Sequence, residues 1–148
     1  MVRRMQTTGL LAAAAAVLLS TGPVSAGNAP PAPPPVELIV TELCPAPAPT
    51  VDSTMGQWIE VYNPTDTPAS LAGLLLTVEG GVDYEAQYQV EPVDGPMVPA
   101  HGFAVLGGTK AIALNGGIAV DVAWGEALAL PKQGKVVLST GDDVLDVV

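Results

Sequence analysis

One cysteine, one histidine and five basic residues are all that 148 positions hold of three resources on which many functions depend. A lone Cys44 closes no intrachain disulfide, and with a lone His101 it supplies no thiolate or imidazole cluster for a metal. A Ser-His-Asp arrangement would have to be built on His101, and the chain has neither a G-x-S-x-G elbow nor a nucleophile in a recognisable setting. No cofactor is implied, and the chain reads as a non-enzyme. Five Lys and Arg against fifteen acids, a net charge of −10, are too few to displace counterions from a phosphate backbone. That excludes a nucleic-acid partner and disfavours an anionic membrane surface. Also missing is any apolar run near the ~20 residues that cross a bilayer, so no transmembrane segment is expected in the mature chain.

Glycine and proline, by contrast, are plentiful at 16 and 15 residues. Each would cost roughly 1–3 kcal/mol inside a helix relative to Ala, which argues against a helix bundle and for strands joined by turns. Met1-Val2-Arg3-Arg4-Met5, an apolar stretch from Leu10 to Leu19, and Val24-Ser25-Ala26 have the order of a secretory signal peptide. Residues 1–26 are therefore expected to be removed on export, placing the protein in the extracellular space or the cell envelope. Without Arg3 and Arg4, three lysines face fifteen acids and the net charge becomes −12, a surface that repels its own copies. Residues 27–35, with Pro30-Pro31-Ala32-Pro33-Pro34-Pro35, read either as a semi-rigid polyproline linker or as a plain disordered start.

From residue 36 to 148 short strand patterns alternate with turn chemistry. Strands are expected at 36–43, 57–62, 71–78, 84–90, 102–106, 118–124, 128–130, 135–139 and 144–147. They are divided by such signals as Asn63-Pro64-Thr65-Asp66, Gly80-Gly81, Gly107-Gly108, Asn115-Gly116-Gly117 and Gly141-Asp142-Asp143. This spacing predicts a single all-β domain, an antiparallel sandwich or barrel. Its 113 residues suffice for a core without staples. Cys44 is expected as a small buried hydrophobe ending the first strand, with pairing between chains as its other use. It stands too far beyond Ala26 for lipid attachment.

The segment Gln57-Trp58-Ile59-Glu60-Val61-Tyr62-Asn63-Pro64-Thr65-Asp66, followed by Ser70-Leu71-Ala72-Gly73 and by Val98-Pro99-Ala100-His101-Gly102-Phe103-Ala104-Val105-Leu106, resembles the lamin-tail domain. Asn115-Gly116-Gly117, Leu128 to Gly134, Val136 to Leu138 and Gly141 to Asp146 continue the pattern in order. The resemblance implies an immunoglobulin-like β-sandwich of the bacterial, exported kind, used for binding or scaffolding without catalysis. Leu74 stands where that family often places Trp, so one core anchor is either missing or supplied elsewhere, as by Trp124.

Acids abound, so carboxylate pairs carry little information. Asp142-Asp143 fits hairpin chemistry, and no D-x-D-x-D-G loop announces calcium. The sharper candidate is the alternating strand 57–62, which puts Trp58, Glu60 and Tyr62 on one face. Two aromatics flanking a carboxylate could form a ligand platform for a sugar ring or an apolar peptide. The preferred reading has Trp58 and Tyr62 brace neighbouring strands while Glu60 faces water, because the resemblance ties these residues to the fold pattern itself. The expected function is an exported, non-catalytic binding or surface-scaffold module whose partner is an extracellular protein or a glycan. The alternatives are a small secreted hydrolase using acidic residues, or an N-terminal fragment of a larger exported protein.

Overall fold

The computed structural model describes residues 37–93 and 95–148, so the leader assigned to 1–26 and the linker at 27–35 lie outside the described residues. Every regular element among these is a strand: β1 Ile39–Cys44, β2 Trp58–Tyr62, β3 Ala69–Ser70, β4 Leu74–Gly80, β5 Tyr84–Gln89, β6 Met97–Val98, β7 Phe103–Gly107, β8 Val122–Ala123, β9 Gly134–Thr140 and β10 Asp143–Val147. Two four-stranded sheets, ordered β1-β2-β7-β8 and β10-β9-β4-β5, form a β-sandwich, with β3-β6 as a separate pair.

Side-chain alternation builds the core. In β2, Ile59 and Val61 point inward and are fully buried, while Trp58, Glu60 and Tyr62 point outward. In β4, Leu74, Leu76 and Val78 do the same for the second sheet. They meet Ala104, Leu106, Val122, Val136 and Leu138 in one cluster, where each fully buried aliphatic side chain contributes about 1.5–3 kcal/mol. Leu74 and Trp124 both belong to that cluster. The Trp124 indole N–H is buried without a hydrogen-bond partner among the described residues.

Three expectations are corrected. The strand at 118–124 shrinks to β8, which pairs with β7 in parallel through Leu106↔Val122 and Gly107↔Ala123, so the first sheet is mixed rather than wholly antiparallel. Leu128–Leu130 is no strand, because its backbone is bonded by a side chain rather than by a ladder. Cys44 ends β1 but is half-buried, not buried, since it shares the outward face with its register partner Trp58.

The two sheets are stitched at one margin. β1 bulges between Val40 and Glu42, and the Val40 N–H donates to Asp146 Oδ2 of β10 at 2.8 Å. Asp146→Ala leaves that amide unsatisfied in a half-buried seam. We expect a loss of about 1–3 kcal/mol, read as a lower urea midpoint at unchanged slope, and a smaller loss for Asp146→Asn, which keeps an acceptor.

Candidate functional site

Strand β2 is held at both ends by buried amides. Before it, Gln57 Nε2 donates to Pro45 O (2.8 Å) and Leu130 O (2.9 Å), while its Oε1 accepts from the Leu130 N–H (2.7 Å). This side chain does for Leu130 what a strand partner would have done. After it, Asn63 is wholly buried. Its Nδ2 lies 2.8–3.2 Å from the carbonyl oxygens of Thr67, Val98 and Pro99, and its Oδ1 accepts from the Thr65 N–H and hydroxyl. The turn chemistry of Asn63-Pro64 thus locks the strand end to the loop before β7.

The row between these clamps is the one expected: Trp58, Glu60 and Tyr62 share the outer face, with Trp58 and Tyr62 about 13 Å apart along the strand. Tyr62 pairs in register with Phe103, and the two rings lie 4.8 Å apart, tilted by 37°. The Tyr62 hydroxyl is 3.4 Å from His101 Nδ1, and His101 Nε2 is 2.8 Å from Asp66 Oδ1. His101 occupies an exposed turn with φ of +51°, a conformation few side chains adopt. Glu60 Oε1 accepts from the Thr41 hydroxyl at 2.7 Å, which Thr41 reaches from the bulge of β1. Beside Trp58 stands Gly107, where an added Cβ would lie 2.9 Å from Val120 and 3.3 Å from the Trp58 Cβ. The bare glycine leaves room for the Val120 side chain beside the Trp58 Cβ.

Phe103, 54% exposed, and Ile39, 40% exposed, extend the same face. Neither stands out in the sequence as part of that face. Each lies in a strand pattern, but only cross-strand register puts both beside Tyr62. The Asp66–His101–Tyr62 chain was equally illegible, since its members are 35 and 39 residues apart. Bracing therefore accounts for Tyr62, which leans on Phe103 and His101, while the face as a whole stays open.

One recess that acids share lies between the two sheets. Glu91 and Asp121 line a cleft of about 270 Å³ between the β5 and β8 margins, with Tyr88 and Lys110. Asp121 Oδ2 is already occupied by the Val105 N–H at 2.8 Å, and Lys110 places a cation among the carboxylates, so this is a poor hydrolytic pair. Among the described residues no group of three or more His, Cys, Asp or Glu side chains is placed to hold a metal, and no helix is long and apolar enough to cross a membrane.

Tyr88 donates to Ala123 O at 3.1 Å across the gap between the sheets. Burial, helped by the charge of Glu91, raises its phenol above the ordinary value of 10.0. The folded state holds this proton more tightly than the unfolded chain. The associated stability is complete below pH 10 and is lost as pH rises through the higher folded value. We expect thermal melts to show that alkaline decline, and Tyr88→Phe to flatten it. At the acid end, the N–H groups of Met55 and Thr54 hold Asp52 below its usual 3.8.

No protein-family model matches the chain, and no curated protein matches its sequence.

Proposed function

We propose that the chain is an exported, non-catalytic binding or surface-scaffold module, a lamin-tail-type sandwich of immunoglobulin-like form. Its partner is a glycan or an extracellular protein, met on the outer face of β1, β2 and β7. The observation that carries this reading is the outward row of half-buried Trp58 and Tyr62, with exposed Phe103 and Ile39 beside it and the Glu60 carboxylate set between the aromatics. Flat aromatic faces suit sugar rings and apolar side chains, and a carboxylate accepts hydroxyl or amide protons. Contiguous apolar surface on a soluble sandwich commonly marks such contacts. The acidic balance keeps copies apart in solution, as suits a module that meets a different molecule.

A screen of the purified chain against glycans, peptidoglycan and apolar peptides tests the reading. We expect a ligand whose binding Trp58→Ala abolishes while Tm moves by only a few degrees. Binding that survives Trp58→Ala alongside a large fall in Tm would assign Trp58 to bracing and remove the platform.

A further inference from the structure

Four margins border the two sheets, and three are blunted. β1 carries its bulge and the Asp146 cap, β10 carries a bulge between Val144 and Asp146, and β8 is two residues long. β5 has none of these devices. Its six residues, Tyr-Glu-Ala-Gln-Tyr-Gln, include no Pro or Lys. Its register with β4 runs unbroken from Gly80↔Tyr84 to Leu75↔Gln89. β5 pairs with β4 alone. Because the Val90 N–H donates to Leu74 O, alternation turns the N–H and C=O groups of Glu85, Gln87 and Gln89 away from β4. Among the described residues nothing bonds to them. An edge left this way is a template for another strand.

Two recesses lie at its ends. One is the cleft of about 270 Å³ holding Glu91; the other, about 300 Å³, is lined by the β4–β5 turn with Asp83 and Glu85. Glu79 also borders the second but is paired with Lys135 at 2.8 Å, as Asp121 in the first is held by the Val105 N–H. Asp83 and Glu91 have no side-chain partner among the described residues, and Glu85 accepts only the Gln87 amide at 3.3 Å, within β5 itself, so three acids flank the edge against one Lys110.

We infer that β5 accepts an extended segment of a partner protein as an added strand, with lysine or arginine side chains seated at the acidic ends. Backbone bonds to Glu85, Gln87 and Gln89 supply affinity, and the recesses supply specificity. Glu85 and Glu91 are about 20 Å apart along an extended chain, so the segment carries two basic residues about six positions apart. A second copy of this chain fits badly, because its β5 would bring its own acids to the same edge. The inference deepens the binding-module reading and rests on it, but uses a different surface.

The test uses the full chain and a labelled peptide, Thr-Lys-Val-Thr-Val-Thr-Val-Lys-Thr, beside its counterpart with Glu for both Lys. We expect at least tenfold tighter binding of the lysine peptide, weakened by salt, and at least tenfold slower amide exchange at Glu85, Gln87 and Gln89. Gln87→Pro removes an outward N–H without touching the β4 ladder and should lower affinity at least tenfold. Glu85→Lys should do the same by charge and serves independently if the proline disturbs the strand. Equal affinity for the glutamate peptide, unchanged exchange at the three amides, or self-association abolished by Gln87→Pro would each overturn the inference. If the edge stays silent while Trp58-dependent binding is found, this inference fails alone. If neither surface binds anything, the module reading fails with it.

Discussion

Asn63→Asp, a change of one atom group at constant volume, is expected to lower stability by about 3 kcal/mol or more. The amide nitrogen faces three carbonyl oxygens, of Thr67, Val98 and Pro99. A carboxylate there has no proton to donate, leaves those acceptors unpaired, and sets its own charge against their dipoles in a site with no exposure. With each kcal/mol worth about 4 °C in a domain of this size, Tm falls by about 12 °C. The sign of the pH response identifies the cause. In the fold the new carboxyl is pushed to hold its proton, so its folded pKa exceeds its unfolded value, and stability returns as pH falls toward the unfolded value and is lost as pH rises. A variant equally unstable at pH 4 and pH 8 would show that the damage is steric.

Gln57→Leu is the second large effect. It keeps the bulk but removes both bonds to Leu130 and the bond to Pro45 O. Leu130 N–H and C=O are then buried with no ladder to rescue them, because residues 128–130 run beside the sheets without joining either. We expect about 3 kcal/mol of destabilisation, with the Leu130 amide the first to exchange. The Tyr84 hydroxyl accepts from the Ala129 N–H and donates to its carbonyl, so loosening this stretch also frees one end of β5. Gln57→Glu separates the parts: it retains the acceptor for Leu130 N–H but turns a carboxylate on two carbonyls, and should recover on acidification. A wild-type Leu130 exchange rate in Gln57→Leu would refute the assignment.

These two amides show how much of the site could be read from residue order. The strand between them was legible, because Trp58-Ile59-Glu60-Val61-Tyr62 alternates cleanly and alternation is a local property of extended chain. Asn63-Pro64 was legible as a turn, yet its reach to Val98 and Pro99 was not. Gln57 showed nothing, since its partner Leu130 is 73 residues away. That same partnership explains the strand wrongly expected at 128–130: its apolar alternation was real, but a side chain took the hydrogen bonds a neighbouring strand would have supplied. Bulges in β1 and β10 were also invisible, being defined by pairing and not by composition.

What the order of residues determined alone is the all-β class, the long strands, the outward row Trp58, Glu60 and Tyr62, and the excess of acidic over basic residues. Each follows from neighbours within a few positions or from summed charge. Tertiary structure alone decided that β7 and β8 run parallel, that Phe103 and Ile39 join the aromatic face, that Asp146 closes one margin, and that β5 is the margin left open. Those facts depend on which distant segments pair and in what register, and the energy that selects them comes from burying both sheets' inner faces together rather than from any local stretch of chain.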